Sequence, residues 1–200
     1  MYYNRVVTLT GVQDIDAAVA YIRETALSGL RAQKGYQGFS VSADRGAGLL
    51  GTLSMWESAA DRDASDSALA KLREVAETQF AANMTVENLD DRVLEMSRPP
   101  EVGSRLMVTY ITMDPSQVEE NIETFKQEVV PQIKAAPGFR SVRAMINPQT
   151  GAGLAGSIWD DDQSRQAAAD AALARRSEGE ARGVKFSEIS FREIVLTDMP

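Results

Sequence analysis

Apolar and polar residues change period along this chain in a fixed order, and that order occurs twice. Val6-Val7-Thr8-Leu9-Thr10 is rich in β-branched residues and predicts a strand. Apolar positions then move to Ile15, Ala18, Val19, Ile22 and Ala26, the spacing of a helix with one buried face, behind Asp14 as N-cap. Gly35 and Gly38 end that helix and its loop. Phe39-Ser40-Val41-Ser42-Ala43 alternates as a half-buried strand, Asp44-Arg45-Gly46-Ala47-Gly48 is a hairpin turn, and 49–56 is a third strand. Ser58 with Asp61 resembles a capping box, and Ala68, Leu69, Leu72, Val75, Ala76 and Phe80 mark one face of the helix that follows. A fourth strand over 86–96 closes the unit. The order is βαββαβ, the ferredoxin-like unit.

Arg98-Pro99-Pro100-Glu101-Val102-Gly103 is an extended, stiff linker, and then the order returns. A strand is expected over 106–113. Asp114-Pro115-Ser116-Gln117 supplies an N-cap, a proline at the first helical position and a capping-box glutamine. Val118, Ile122, Phe125, Val129 and Ile133 form an apolar stripe that Pro137-Gly138 stops. Val142, Ala144 and Ile146 alternate, Asn147-Pro148-Gln149-Thr150-Gly151 turns, and 154–159 is the next strand. An Ala-rich helix is expected over about 161–176, shorter than its counterpart, then a polar loop over 177–183 and a last strand over 184–196. Phe186 and Ile189 break the alternation of that strand and predict a β-bulge.

The two copies carry a shared motif. Gly46-Ala47-Gly48 leads through a strand to Trp56-Glu57, and Gly151-Ala152-Gly153 leads through a strand to Trp159-Asp160. A Gly-aromatic pair precedes each, Gly35-Tyr36 and Gly138-Phe139. Trp56 and Trp159 lie 103 positions apart, as do Tyr36 and Phe139. A repeat of that length is a whole domain copied once. The expected organisation is one repeat over 1–98, a linker over 99–103 and a second repeat over 104–200. The glycine pairs precede strands rather than helices, so they predict turns and not a phosphate-binding loop.

Composition narrows the chemistry. The net charge of −8 is shared evenly, with 10 basic and 14 acidic residues in 1–100 and 11 and 15 in 101–200. No basic face emerges, so neither nucleic acid nor an anionic membrane is an expected partner. No apolar run of about 18 residues occurs, and the start, Met1-Tyr2-Tyr3-Asn4-Arg5-Val6, has no signal-peptide core; a cytoplasmic protein is expected. Cysteine is absent, which removes disulfides, thiolate nucleophiles and Cys-ligated metals. Histidine is absent too, which removes Ser-His-Asp chemistry and His-based acid–base work.

Leu50 and Trp56 share one side of their strand, opposite Leu49, Leu53 and Met55. A sheet apolar on both faces needs a second cover. The expected fold is α+β, with two tandem ferredoxin-like repeats packed sheet to sheet as a pseudo-dimeric α+β barrel. The Gly-aromatic pair, the Gly-turned hairpin, the strand ending in Trp-Glu or Trp-Asp and the capped helix resemble the antibiotic biosynthesis monooxygenase superfamily. The resemblance covers nearly the whole chain, once per repeat. It implies the dimeric α+β barrel and a range of activities, among them cofactor-free oxygenation of aromatic polyketides, haem degradation and quinol oxygenation. Haem-degrading relatives hold iron through a histidine, and this chain has none.

Within that frame the candidate catalytic residues are Trp56, Trp159 and Arg143. Thr52 and Ser54 share Trp56's side of its strand, and Ala155 and Ser157 share Trp159's; small side chains beside a large ring leave room for a ligand. The resemblance implies that the tryptophans belong to a substrate cavity, and plain packing at the sheet end is the other reading. Arg143, Arg92 and Arg192 sit in strands, as oxyanion stabilisers or as partners of acidic side chains. Tyr110 is a pocket donor or a core aromatic. Asp160-Asp161-Asp162 predicts a solvated helix start rather than a cation site, and no metal or other cofactor is expected. The function expected is a cofactor-independent monooxygenase acting on an aromatic phenol or quinol with O2. The alternative is a non-catalytic small-molecule-binding or structural barrel. The expected partner is a small apolar or aromatic molecule, and the chain is a monomer with an internal pseudo-dimer, or a homodimer.

Overall fold

The computed structural model describes residues 1–199. β1 (Tyr3–Thr10) leads to a helix over 15–31, α1, whose N-cap Asp14 accepts from Ala17 N at 2.9 Å. β2 (Tyr36–Asp44) and β3 (Leu49–Trp56) form a hairpin. Ser58 starts α2 (Ala59–Gln79): its Oγ accepts from Asp61 N at 3.0 Å and donates to the Asp61 carboxylate at 2.6 Å. β4 (Asn83–Met96) ends the first copy. The second copy runs through β5 (Arg105–Thr112), a helix over 115–135 (α3), β6 (Phe139–Ile146), β7 (Ala152–Trp159), α4 (Asp162–Ala181), β8 (Lys185–Phe186) and β9 (Ser190–Asp198).

The chain forms two compact units. The N-terminal unit is residues 2–88 with the segment from Glu193 onward, and the C-terminal unit is Leu89–Arg192 with Met1. In the N-terminal unit the strand order is β4-β1-β3-β2-β9, and Tyr3 and Tyr36 both lie opposite Trp56. In the C-terminal unit the order is β4-β6-β7-β5, with Phe139 and Arg105 opposite Trp159. The closing strands are shared. β4 pairs with β6 from Asp90 to Met96, and β9 pairs with β2 from Glu193 to Asp198. These pairings give β6 and β2 partners along edges that would otherwise be exposed. Each unit has its own core. One gathers Leu9, Val19, Ile22, Phe39, Trp56 and Leu69, and the other gathers Ile111, Ile122, Val130, Phe139, Val142 and Trp159.

Three features differ from the sequence pattern or were hidden in it. Both first helices contain a π-helical turn at the same place, Ile22–Ala26 in α1 and Phe125–Val129 in α3. One such turn barely disturbs an apolar stripe, so periodicity does not reveal it, yet π-turns concentrate at functional sites. Second, α4 is 20 residues long against 21 for α2, so much of the expected loop over 177–183 is helix. Gly179 costs about 1 kcal/mol of helix propensity, but it is buried against Phe186, and Arg176 pairs with Glu180 one turn on at 3.2 Å. Third, the last strand is broken between β8 and β9 where a bulge was expected, and its register shift lies further on, between Ile194 and Leu196. Ser187 N donates to Tyr110 O at 2.9 Å, and its Oγ accepts from Tyr110 N at 3.0 Å. A side-chain hydroxyl thus takes a position that a strand carbonyl would hold, and the ladder stops there.

The second hairpin depends on a glycine. Gly151 has φ +69°, and a Cβ there would lie 1.9 Å from Met113 O. Gly11 has φ +83° with open space around it. Gly11→Ala is expected to cost only the left-handed conformation, about 1–2 kcal/mol. Gly151→Ala adds a backbone clash and is expected to lose about 3 kcal/mol or more in urea denaturation. Equal losses would show that the close approach at Met113 is not what requires glycine.

Candidate functional site

The repeated motif assembles into the same knot in each unit. Trp56 is fully buried, and its indole N–H donates to Ser54 Oγ at 3.1 Å; Trp159 is 1% exposed and donates to Ser157 Oγ at 2.9 Å. Tyr36 meets Trp56 edge to face at 6.1 Å, and Phe139 meets Trp159 at 5.9 Å. The residue after each tryptophan donates its backbone N–H to the glycine of the Gly-aromatic pair, Glu57 to Gly35 O at 2.8 Å and Asp160 to Gly138 O at 2.9 Å. These contacts fix where α2 and α4 leave the sheet.

Between helices and sheet each unit has a half-open cavity. That of the N-terminal unit measures about 80 Å³ and is lined by Thr52, Ser54, Arg5, Ile22, Ala26 and Leu69, among others. That of the C-terminal unit measures about 160 Å³ and is lined by Ala155, Ser157, Met107, Phe125, Val129 and Ala172, with Arg182 at the end of α4. Residues of both π-turns line them. The difference in size has identifiable causes. Arg5 and Met107 hold the same register position, opposite Ser54 and Ser157. Arg5 crosses the N-terminal cavity to donate to Ser65 Oγ at 2.9 Å and Arg62 O at 2.7 Å, and pairs with Asp66 at 3.4 Å. Burial pushes its pKa down, and Asp66 opposes that. The C-terminal unit has a thioether there. At the 103-residue offset Leu69 corresponds to Ala172 and Ala76 to Gly179, so α4 also presents smaller side chains.

Thr52, Ser54, Ala155 and Ser157 therefore lie at cavities. Trp159 walls an adjoining cleft of about 490 Å³, together with Gly138, Asp160 and Ala171; cleft and cavity share Ile133 and Arg175. Trp56 is packed in the N-terminal core. Arg143 and Tyr110 are not brought to these residues. Val142 and Thr109 line the C-terminal cavity, so by strand alternation their neighbours Arg143 and Tyr110 project from the opposite face, where Arg143 pairs with Asp91 at 3.3 Å. Arg92 pairs with Glu119, and Arg192 donates to Ser190 Oγ at 3.0 Å. The acidic run is engaged locally: Asp160 by Arg98 and Arg140, Asp161 as the cap on Ser164 N, and Asp162 by Arg165. Among the described residues no group of three or more acidic side chains is placed to hold a metal ion, and no helix is long and apolar enough to cross a membrane.

Sequence pattern did not single out Arg182. It lines the C-terminal cavity, and its Nε is buried with no hydrogen-bond partner among the described residues. Its backbone is satisfied, N–H to Gly179 O at 3.0 Å and carbonyl from Asn121 Nδ2 at 3.5 Å. The neighbouring Arg176 is engaged, with Glu180 and with the carbonyls of Phe186 and Ser187. A helix-terminal arginine looks like a dipole partner in sequence, so only its position beside the cavity distinguishes it.

Comparison with known proteins establishes the fold. The chain matches no protein-family model. An uncharacterised protein of Mycobacterium tuberculosis is 26% identical over 192 residues, covering 94% of this chain and 86% of that one. A proposed monooxygenase of Fusobacterium nucleatum superposes with a TM-score of 0.70 at 12% identity, over 99% of this chain and 94% of that one. An anthrone oxidase-like protein gives 0.70 at 16%, over 98% and 92%. A ferredoxin-fold protein of Listeria monocytogenes related to antibiotic biosynthesis monooxygenases gives 0.56 at 10%, over 97% and 95%. The chain is thus an α+β protein with the fold of antibiotic biosynthesis monooxygenase-like proteins.

Two outcomes follow from these contacts. Ser157→Ala leaves the Trp159 indole N–H buried and unpaired and should cost about 1–3 kcal/mol in chemical denaturation. The same change in a Trp159→Phe background should cost clearly less, and equal costs would show that the hydrogen bond contributes nothing. Acid should act through carboxylates. Hydrogen bonds hold Asp61 (from Ser58), Asp160 (from Arg98), Asp161 (from Ser164) and Asp198 (from Arg31) below the usual aspartate range. A lowered folded-state pKa contributes stability above the unfolded value, and that contribution is lost as pH falls through the folded one. With no histidine in the chain, the melting temperature should be flat between about pH 6 and 8 and fall below about pH 4. A midpoint that drops between pH 7 and 5 would contradict this assignment.

Proposed function

We propose that this protein is a cofactor-independent monooxygenase that oxidises a small aromatic phenol or quinol with O2 in the cavity of the C-terminal unit. The observation that carries the reading is that cavity. It is an apolar space of about 160 Å³ under a π-turn, with Ser157 and Arg182 in its wall, in a fold shared with monooxygenase-like proteins. Ala155 and Ser157 shape the space, and Trp159 holds Ser157 in place and walls the adjoining cleft. Thr52, Ser54 and Trp56 are the counterparts in a unit whose smaller cavity Arg5 crosses. Arg143 and Tyr110, on the other face of the sheet, have no substrate contact in this reading.

The chemistry needs no bound cofactor, because the substrate supplies the electrons. Loss of the phenolic proton makes the ring electron-rich enough to reduce O2. One oxygen atom enters the ring as a carbonyl and the other leaves as water with two substrate hydrogens, so that phenol plus O2 gives quinone plus water. The protein excludes water and stabilises the phenolate by a cation in a low-dielectric site. Glu178 is the carboxylate in the cavity lining and takes the proton. In this reading the protein works in the cytoplasm as a monomer or a homodimer, with neither nucleic acid nor a membrane as partner.

A second reading, a binding protein without turnover, is favoured by how few acid–base groups the lining holds. Oxygen uptake with monocyclic phenols and quinols separates the two. Uptake is expected with the native protein. Ala172→Leu, which installs the residue found at Leu69 in the other unit, should abolish uptake while leaving the protein folded, and Trp159→Phe should lower it. Saturable binding with no uptake would establish the second reading, and an unchanged rate in Ala172→Leu would move the site elsewhere.

A further inference from the structure

We propose that the C-terminal cavity is built for a single aromatic ring that carries an anionic group, and that Arg182 is the residue that binds that group. The proposal deepens the reading above by naming a ligand class for the same site.

Two observations carry it. The first is volume. A cavity of roughly 150 Å³ encloses one benzene ring, and this one measures about 160 Å³. One ring fills it, whereas a fused three-ring system exceeds it. The walls suit a ring: Phe125, Val129, Val142, Phe186 and Ala172 are apolar, and Gly156 and Ala155 leave the sheet side flat.

The second is charge. Arg182 Nε is buried and lacks a hydrogen-bond partner among the described residues. A buried guanidinium donor without an acceptor is costly unless something supplies one. The other arginines at the cavity are already engaged, Arg176 with Glu180 and two carbonyls and Arg175 with Gln132 Oε1 at 3.4 Å. In the N-terminal unit the comparable cation, Arg5, has the hydroxyl of Ser65, the carbonyl of Arg62 and the carboxylate of Asp66. The C-terminal cavity thus pairs an apolar slot with a donor that awaits an acceptor. A carboxylate is planar and accepts from the guanidinium fork in matched geometry, which makes an aromatic carboxylate the best-fitting occupant.

The test uses the native protein with benzoate, benzamide and 9-anthracenecarboxylate, measured by calorimetry and by thermal shift. Benzoate should bind saturably and at least about tenfold more tightly than benzamide, which has the same shape without the charge. The tricyclic acid should neither bind nor compete. Arg182→Gln should bring benzoate affinity down to that of benzamide while leaving benzamide unchanged, and Ala172→Leu should remove both. Benzoate binding no tighter than benzamide overturns the proposal on the native protein alone, whether or not the variants fold. So does an Arg182→Gln protein that keeps the full preference, or competition by the tricyclic acid. Benzoate carries no phenol, so its binding is independent of turnover. A benzoate preference without oxygen uptake on any phenol would reject the monooxygenase reading and keep this one. Uptake without a benzoate preference would do the reverse.

Discussion

Each unit hangs on a buried tryptophan that cannot be buried alone. An indole N–H taken out of water needs an acceptor, and Ser54 and Ser157, two residues back on the same strand face, provide it. The ring then needs a neighbour, and Tyr36 or Phe139 meets it edge to face across the hairpin. That aromatic can start its strand there only because the preceding Gly35 or Gly138, each with φ +74°, lets the chain turn tightly against the following helix. A Cβ at Gly35 would lie 2.6 Å from Asp61, and one at Gly138 would lie 2.4 Å from Ser164. The glycine carbonyl in turn receives the backbone N–H after the tryptophan. One constraint, satisfying and packing an indole, thereby sets the hairpin register, the helix start and the height of the helix above the sheet. The cavity in each unit is the space left by that spacing.

What differs between the units is how that space is filled. The N-terminal unit sends Arg5 across it, and every polar atom that arginine buries is answered by Ser65, Arg62, Asp66 or Asn88. Such a network rigidifies the unit and leaves little room. The C-terminal unit places Met107, Ala172 and Gly179 where the other has Arg5, Leu69 and Ala76, which removes both the bridge and the bulk. Its first-copy counterpart shows that the same scaffold accepts the filled arrangement.

Much of this could be read from residue order. The two-copy βαββαβ pattern, the caps at Asp14, Ser58 and Asp114 and the turn glycines all follow local rules with short-range causes. Strand alternation alone put Thr52 with Ser54 and Ala155 with Ser157 on the tryptophan side. It could not say which face of the sheet Arg143 and Tyr110 would share with a cavity, because that depends on where the helices pack. The end of α4 was hidden for a related reason. Gly179 and the polar residues around it look like a loop until Phe186 is seen packed against the glycine. Arg182 was hidden with it, because a residue assigned to a loop is assigned no wall. The pairing of β4 with β6 and of β9 with β2 leaves no local trace, since a strand has the same period whichever partner it takes.

An apolar space is a cost to a fold, and this bears on why the C-terminal cavity persists. Side chains around unfilled volume forgo dispersion contacts, and the C-terminal unit leaves about 160 Å³ unfilled. The remedy is small, since one leucine at position 172 would repeat the solution found at Leu69. Filling the space would leave the buried Nε–H of Arg182 still without an acceptor. The void and the unpaired Nε–H of Arg182 lie together, and a ligand that is apolar at one end and anionic at the other answers both at once. The same molecule would regain the packing and supply the acceptor, and the divergence of the second copy from the first lies along those two directions.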